Sequence, residues 1–287
     1  RGVLRTDGNP MTVYHFTKMQ SLGNDFVMLN GVAEHIRIDQ KVARFIADRH
    51  FGIGCDQLLL VESAQDDSVL FTYRIFNADG GEVEQCGNGA RCFARFVLDK
   101  GLTQERRIPV QTKAGKLILE VQDDDQVTVN MGIPEFSPAA IPFDAPQVEQ
   151  HYSLELDHET VEIGAVALGN PHAVLQVANV DQCNLETLGP QIEAHTRFPQ
   201  HVNAGFMQVV DQKMIKLRVF ERGVGETLAC GSGACAAVVV GRRWQLLSEI
   251  VQVQLTGGTL RVSWQGEGQP VMMTGPATTV FEGSIAL

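Results

Sequence analysis

The sequence predicts an α+β protein built as two homologous, pseudo-symmetric domains, each a mixed β-sheet wrapped around a central helix. Three observations support this fold class: a glycine-rich motif occurs twice, strand-like runs precede each copy, and an apolar helical run follows each copy. The chain of 287 residues is long enough for two compact domains. Its hydrophobic content of 44% and charged content of 20% are ordinary for a globular protein.

The repeated motif is Arg74–Ala90 (RIFNADGGEVEQCGNGA), which aligns with Arg218–Ala234 (RVFERGVGETLACGSGA) at an offset of 144 residues. Eight of the 17 positions are identical, where about one match is expected by chance. The match extends upstream at an offset of 146, pairing Leu22-Gly23-Asn24 with Leu168-Gly169-Asn170 and Gln57 with Asn203. These matches indicate two homologous domains.

The two domains divide near residues 130–138 (NMGIPEFSP), which have the glycine and proline density of a connector. We assign residues 11–130 together with 276–287 to the N-terminal domain and residues 131–275 to the C-terminal domain. Residues 1–10 are interpreted as a tag remnant, with a natural tail as the alternative. The similarity could reflect a folding duplication alone. However, the best-matched window is polar and glycine-rich, so we expect an active site in the cleft between the domains.

The strand predictions come from alternating or β-branched runs. They cover residues 12–16, Ser68–Phe76, Lys116–Val121, Gln126–Val129, Met214–Phe220 and Ile250–Leu255.

Each copy of the motif ends in Cys-Gly-x-Gly-Ala and leads into a predicted helix. Apolar residues follow Cys86 at helical spacing until Lys100-Gly101, a plausible helix stop. The run Ala234–Val240 after Cys230 is apolar on every side, which predicts a buried helix. Cys86 and Cys230 are therefore expected at helix N-termini. The remaining cysteines are interpreted as structural: Cys55, Cys92, Cys183 and Cys235.

Composition also excludes several classes of function. The net charge of −11 argues against a nucleic-acid partner, and no apolar run is long enough to span a bilayer. Six cysteines in a chain of this size are expected to be free thiols in the reducing cytoplasm. No dinucleotide, phosphate-loop or pyridoxal motif is present, so we expect no cofactor. The spacing of the cysteines fits a structural zinc site poorly, so we expect no metal.

Two cysteines at helix N-termini suit the inversion of an α-carbon. A helix N-terminus lowers a thiol pKa into a range of about 3.5–7.5, and its N–H groups can bind a carboxylate. A thiolate on one face would remove the α-proton, and a thiol on the other would return one. A disulfide between Cys86 and Cys230 is the alternative, interpreted as an oxidised, inactive form.

The motifs Asn77–Cys92 and Glu221–Ala236 resemble the two signatures of the diaminopimelate epimerase family. The segments Met19–Phe26, Gly54–Gln57 and Gly169–His172 fit the family as well. The resemblance runs in order from Met11 to about the C-terminus.

The resemblance implies interconversion of LL- and meso-2,6-diaminopimelate, on the route to lysine and cell-wall precursors. It implies Cys86 and Cys230 as the acid/base pair, without cofactor or metal, and His172 and Glu221 as groups that tune the thiols. The residues implied to bind the reacting carboxylate are Gly87, Asn88, Gly231 and Ser232. Those implied to surround the substrate are Asn24, Gln57, Asn77, Asn170, Asn203, Glu221 and Arg222.

Alternatives remain at several positions. His172 could be a satisfied structural histidine, and Asn24 and Asn170 could be turn residues because each follows glycine. The resemblance also implies a homodimer, although family members often carry a tyrosine linked to dimer formation where Phe281 stands here. Competing functions are a proline-racemase-like enzyme or hydroxyproline epimerase, and a non-catalytic amino-acid binding protein. The guanidinium of Arg222 offers a fork for a distal carboxylate, which favours a substrate with a polar distal end over a ring.

Overall fold

The computed structural model describes residues 12–83, 87–113 and 115–286. The predictions for residues 1–10 and for Cys86 lie outside the described residues. The described chain divides into two compact units. One comprises the described residues of Arg1–Val129 and Pro276–Leu287, and the other comprises Asn130–Gly275.

The described residues form eighteen strands and four helices, so the predicted α+β class is confirmed. The strands are β1 (Val13–Ser21), β2 (Asn24–Asn30), β3 (Gln57–Ser63), β4 (Phe71–Asn77), β5 (Glu82–Val83), β6 (Arg107–Thr112), β7 (Gly115–Val121), β8 (Val127–Asn130), β9 (Tyr152–Glu155), β10 (Thr160–Ala167), β11 (Pro171–Gln176), β12 (Asn203–Asp211), β13 (Met214–Glu221), β14 (Gly225–Glu226), β15 (Ile250–Leu255), β16 (Gly258–Trp264), β17 (Val271–Gly275) and β18 (Thr278–Ala286). The helices are α1 (Gln40–Ala47), α2 (Gly87–Asp99), α3 (Leu185–Glu193) and α4 (Gly231–Arg243).

In the first unit, the strands pair in the order β18-β1-β2-β3-β4-β6-β7-β8, with β5 added beside β4. The pairs β2/β3 and β4/β6 are parallel, and the other pairs are antiparallel. A parallel pair needs a crossover connection. Helix α1 lies in the connection from β2 to β3, and α2 lies in the connection from β4 to β6.

In the second unit, the order is β9-β10-β11-β12-β13-β15-β16-β17, with β14 beside β13. The parallel pairs are β11/β12 and β13/β15, and α3 and α4 lie in their connections. Every strand and helix of the second unit thus has a counterpart in the first unit.

The backbone register repeats with the sequence offset. In the first unit Phe26 lies opposite Gln57, and in the second His172 lies opposite Asn203, each 146 residues further on. Side chains repeat as well. Arg74 forms a two-bonded ion pair with Glu82 at 3.0 and 2.7 Å. The equivalent Arg218–Glu226 pair has distances of 2.6 and 2.8 Å. Two of the identical positions in the repeated motif therefore serve this shared contact.

Helices α2 and α4 are the buried elements of their units. Helix α2 contacts β1, β2, β3 and β7, so the first sheet curves around it. Helix α4 contacts strands from β10 to β17, and every residue from Gly233 to Gly241 is buried. The apolar run after Cys230 therefore forms the buried helix that the sequence predicts. No helix among the described residues is long and apolar enough to cross a membrane.

Both buried helices end in the same backbone motif. After α2, Gly101 has φ +65° and its N–H donates to the carbonyl of Leu98, while the N–H of Leu102 donates to that of Val97. After α4, Gln245 has φ +62° and the same two bonds recur. This is a Schellman motif, in which glycine is favoured at the left-handed position. The second unit therefore holds a glutamine in a backbone conformation that costs a side chain free energy.

One strand prediction is wrong at its start. Strand β4 begins at Phe71 instead of Ser68. The backbone N–H and the hydroxyl of Ser68 both donate to the carboxylate of Asp66. This local side-chain turn competes with strand pairing.

Candidate active site

In the first unit, Asn24 is placed by a tight hairpin between β1 and β2. Leu22 and Gly23 have φ +55° and +87°, which is the backbone of a two-residue hairpin turn. Asn24 then opens β2. Its Nδ2 donates to Asp56 Oδ2 at 2.9 Å, and its Oδ1 accepts from Asn88 Nδ2 at 3.1 Å. The side chain of Asn24 therefore links the hairpin to the first turn of α2.

Gln57 and Asn77 lie opposite each other where β3 begins and β4 ends. Gln57 Nε2 donates to Asn77 Oδ1 at 2.8 Å. The Oε1 atom of Gln57 is buried and has no hydrogen-bond partner within the described part of the chain. A buried acceptor without a donor is costly, so this oxygen is suited to receive an N–H group from a ligand.

A charged cluster supports this half of the site. Arg49 donates to Asp25 at 3.0 and 2.8 Å and to Asp56 at 2.8 Å, and the Lys18 ammonium lies 2.6 Å from Asp25. Burial raises the pKa of Asp25, but the hydrogen bonds from Arg49 and Lys18 outweigh it and hold that pKa well below its usual range. Asp25 therefore stays ionised, and Arg49 holds Asp56 beside Asn24.

The first turn of α2 contains Gly87 and Asn88, and Cys86 before it lies outside the described residues. Asn88 is only 4% exposed. The side chain behind it is Arg91, which is fully buried and which the sequence reasoning missed. Arg91 Nη2 donates to Asn88 Oδ1 at 2.7 Å and to Ser21 Oγ at 2.6 Å. A charged residue within a predicted buried helix was the signal that could have found it.

In the second unit, Cys230 is the N-cap residue of α4, as the sequence predicts, and it is buried. Burial, together with the charge of Glu221 and a hydrogen bond to it, raises the pKa of the Cys230 thiol well above its usual value. The N–H of Gly233 and the hydroxyl of Ser232 act in the opposite direction. The expectation that a helix N-terminus lowers this thiol's pKa is therefore wrong for Cys230. Removal from water and an adjacent carboxylate outweigh the helix.

A chain of hydrogen bonds leads to this sulfur. His172 Nε2 lies 2.9 Å from Asn170 Oδ1, Asn170 Nδ2 donates to Ser232 Oγ at 3.3 Å, and Ser232 Oγ lies 3.7 Å from Cys230 Sγ. Burial and the charge of Arg222 lower the pKa of His172 to about 3. A neutral imidazole beside an amide oxygen donates its N–H. His172 is therefore connected to Cys230 through Asn170 and Ser232.

Three other predicted residues surround this centre. Asn203 is buried, donates to the carbonyl of Pro171 at 2.9 Å, and accepts from the backbone N–H of Arg222 at 3.0 Å. It thus fixes the backbone beside the half-buried Glu221, whose carboxylate accepts from Thr227 at 2.5 Å. The side chain of Arg222 is exposed.

The other four described cysteines are Cys55, Cys92, Cys183 and Cys235. None of the five described cysteines forms a disulfide, and Cys92 and Cys235 are fully buried in α2 and α4. Burial raises the pKa of Cys55 to about 12. Among residues 12–83, 87–113 and 115–286, no three His, Cys, Asp or Glu side chains are arranged to hold a metal ion.

The fold is shared with solved structures. A phenazine biosynthesis protein of the PhzF family from Bacillus anthracis matches with a TM-score of 0.69 and 16% identity, covering 96% of this chain and 100% of that chain. A hydroxyproline epimerase from Agrobacterium vitis, with bound trans-4-hydroxy-L-proline, matches with a TM-score of 0.66 and 15% identity, covering 96% and 93%. These likenesses define the fold alone.

The sequence defines the family. Residues 16–137 and 164–280 match the family model for diaminopimelate epimerase. The diaminopimelate epimerase of Ectopseudomonas mendocina (strain ymp) is 56% identical over 272 residues, which covers 95% of this chain and 99% of the relative. The chain therefore belongs to the diaminopimelate epimerase family, whose members are isomerases that act without pyridoxal phosphate. The predicted family is confirmed.

Proposed function

We propose that this protein interconverts LL-2,6-diaminopimelate and meso-2,6-diaminopimelate, with Cys86 and Cys230 as the acid/base pair and no cofactor. The observation that carries the proposal is Cys230. It is a buried free thiol at the start of α4, and the side chains of Glu221 and Ser232 lie within hydrogen-bonding reach of its sulfur. The chain that carries it belongs to this family. The part given to Cys86 rests on its match to Cys230 in the repeat and on the family resemblance.

The reaction needs one base and one acid. A thiolate on one face of the α-carbon takes its proton, and the electron pair of that C–H bond delocalises into the carboxylate. The thiol on the other face then gives a proton to the carbon. Each turnover leaves the two sulfurs with their protonation exchanged, so the reverse reaction uses the same groups. Proton transfer of this kind contributes a factor of about 10²–10⁴.

The first turn of α4 is suited to the reacting carboxylate. The N–H groups of Gly231 and Ser232 are the first two of the helix, where no intrahelical partner exists. Donors aimed at the carboxylate stabilise the charge that develops there in the transition state. Gly87 and Asn88 occupy the equivalent positions of α2 and are proposed for the same role.

The distal end of the substrate carries a second carboxylate and ammonium group. The exposed guanidinium of Arg222 can bind a carboxylate through two N–H groups, and Glu221 can pair with an ammonium. The amides of the first unit supply donors and acceptors for the remaining groups. The side chains proposed to surround the substrate are Asn24, Gln57, Asn77, Asn170, Asn203, Glu221 and Arg222.

The cellular setting follows from the substrate. We propose that the protein acts in the cytoplasm, in the synthesis of lysine and peptidoglycan precursors. A homodimer is also proposed, since strand β18 exposes Val280 by 56% and Phe281 by 48%. The Phe281 ring packs on Phe16 with centroids 5.9 Å apart, so it can contribute apolar contact without a hydroxyl.

The test is α-proton exchange in D₂O. The purified protein should interconvert LL- and meso-diaminopimelate and place deuterium at the α-carbon, as followed by NMR. Proline and trans-4-hydroxy-L-proline, incubated in parallel, should keep their α-protons. Exchange of either ring substrate without exchange of diaminopimelate would assign a different substrate. Exchange of none of them would favour a binding protein.

A further inference from the structure

Arg91 is a fully buried guanidinium behind the first turn of α2. Besides its bonds to Asn88 and Ser21, Nε donates to Ser21 Oγ at 3.1 Å and to the carbonyl of Pro276 at 3.4 Å, and Nη1 donates to the carbonyl of Gly87 at 3.4 Å. One side chain thus ties the start of α2 to the end of β1, just before the hairpin that carries Asn24, and to the segment that enters β18.

We propose that Arg91 is a positioning residue for epimerisation. It fixes the amide of Asn88, and through it that of Asn24, by a directional hydrogen-bond chain that ends on Asp56. The inference rests on the proposed function, because Asn88 and Asn24 are substrate residues only within it.

The direction of the chain follows from its two ends. A guanidinium can only donate, so Asn88 must present Oδ1 to Arg91 and direct Nδ2 towards Asn24. The oxygens of Asp56 accept, so Asn24 presents Nδ2 to Asp56 and Oδ1 towards Asn88. Both ends impose the same orientation on the two amides, which leaves neither amide free to flip.

The carboxylate end is itself held in place. Arg49 donates to Asp56 Oδ1 at 2.8 Å, and the backbone N–H of Asp25 donates to Asp56 Oδ2 at 3.1 Å. The amides therefore lie between a fixed donor and a fixed acceptor. Side chains held by such partners keep the geometry that a reaction needs, and small misplacements can cost about 10²-fold in rate.

The second unit shows that the fold does not require this guanidinium. The position equivalent to Arg91, 144 residues further on, is Cys235, which is buried in α4. Helix α4 is nevertheless buried, in the same place in the same sheet order. The role that we assign to Arg91 is therefore to orient the amides of the first unit, in addition to any contribution to folding.

The decisive experiment is a double-mutant cycle on epimerisation of diaminopimelate. Arg91→Lys keeps the charge but loses the planar fork, and we expect kcat/KM to fall by about 10- to 100-fold. Because Arg91 acts through Asn88, Arg91→Lys should cost less than about 3-fold when introduced into Asn88→Ala. The matched control is Arg95→Lys, one turn further along α2, where the side chain pairs with Asp99 and Asp125. It should leave kcat/KM within about 2-fold.

Equal effects of Arg91→Lys in both backgrounds would overturn the inference and assign Arg91 to folding alone. If Arg91→Lys does not fold, the other end of the chain is tested with Asp56→Asn in the wild type and in Asn24→Ala. Additive losses there would overturn the inference as well. Failure of the proposed function is a separate result, since the wild-type protein would then not epimerise diaminopimelate.

Discussion

Each unit has a hydrogen bond between the first turn of its buried helix and the asparagine after its Leu-Gly turn, but the donor and the acceptor are exchanged between the units. In the first unit, Asn88 on the helix donates to Asn24 on the strand. In the second, Asn170, which lies just before strand β11, donates to Ser232 on the helix. The offsets of 146 and 144 residues make these equivalent pairs. The difference arises at the residues behind them, since Arg91 imposes one direction and His172 imposes the other.

Because the hydrogen bond is reversed, the chain of hydrogen bonds in the second unit ends on the sulfur of Cys230. Ser232 accepts from Asn170, so its own hydrogen can point at Cys230 Sγ, where it stabilises a thiolate. Glu221 on the same sulfur stabilises the thiol instead. The backbone of a duplicated domain can therefore be retained while side chains reassign what each copy does.

The largest expected effect on stability comes from His172. Its counterpart in the first unit is Phe26, which cannot titrate. The folded-state pKa of His172 is lowered to about 3, below an unfolded value of about 6.5. The stabilisation is therefore present above about pH 6.5 and is lost as the pH falls towards 3.

Urea denaturation should show this loss as about 2 kcal/mol between pH 6.5 and pH 5, and His172→Phe should remove it. The same pH dependence in His172→Phe would show that the imidazole is not held neutral. Phe26→Leu in the first unit is the control, since it should change stability equally at both pH values.

A smaller effect is expected on the Cys230 thiol, with opposite signs for its two neighbours. Glu221→Gln removes the nearby charge and should lower the pKa of Cys230, whereas Ser232→Ala removes a donor to the thiolate and should raise it. Thiolate absorbance against pH, taken as the difference from Cys230→Ala, measures both. Shifts of the same sign would show that the two side chains do not compete for this sulfur.

The smallest expected effect concerns the matched helix ends. Gln245→Gly should raise the free energy of unfolding by about 1 kcal/mol, because glycine adopts the left-handed conformation without steric cost. Gly101→Ala, at the equivalent position, should lower it by a similar amount. Chemical denaturation of both variants tests the pair. A loss of stability in Gln245→Gly would show that the glutamine side chain contributes more than its backbone costs.

The repeat and the buried helices could be predicted from the sequence because both depend on local patterns. The matched motif fixed the offset between the units, and the apolar run Ala234–Val240 predicted burial on every side of α4. The start of β4 could not be predicted from periodicity, because Ser68 bonds to Asp66 in a local turn.

The sequence suggested which residues form the candidate site, but it did not show the hydrogen bonds that connect them. Asp56 meets Asn24 only through tertiary structure. Arg91 lies one helical turn after Asn88, but the sequence does not show that this guanidinium, rather than that of Arg95, is the buried one. The pKa of Cys230 shows the same limit. A helix N-terminus is visible in the sequence, whereas burial and the approach of Glu221 are not.

The proposed mechanism requires that one cysteine from each unit serves opposite faces of the same α-carbon. The direct measurement is epimerisation of LL- and meso-diaminopimelate by Cys86→Ala and Cys230→Ala, with Cys92→Ala and Cys235→Ala as controls. Each of the first two variants should lose at least about 10²–10⁴-fold in the rate of interconversion, while the controls keep theirs within about 2-fold. Wild-type rates in either Cys86→Ala or Cys230→Ala would contradict the two-cysteine mechanism.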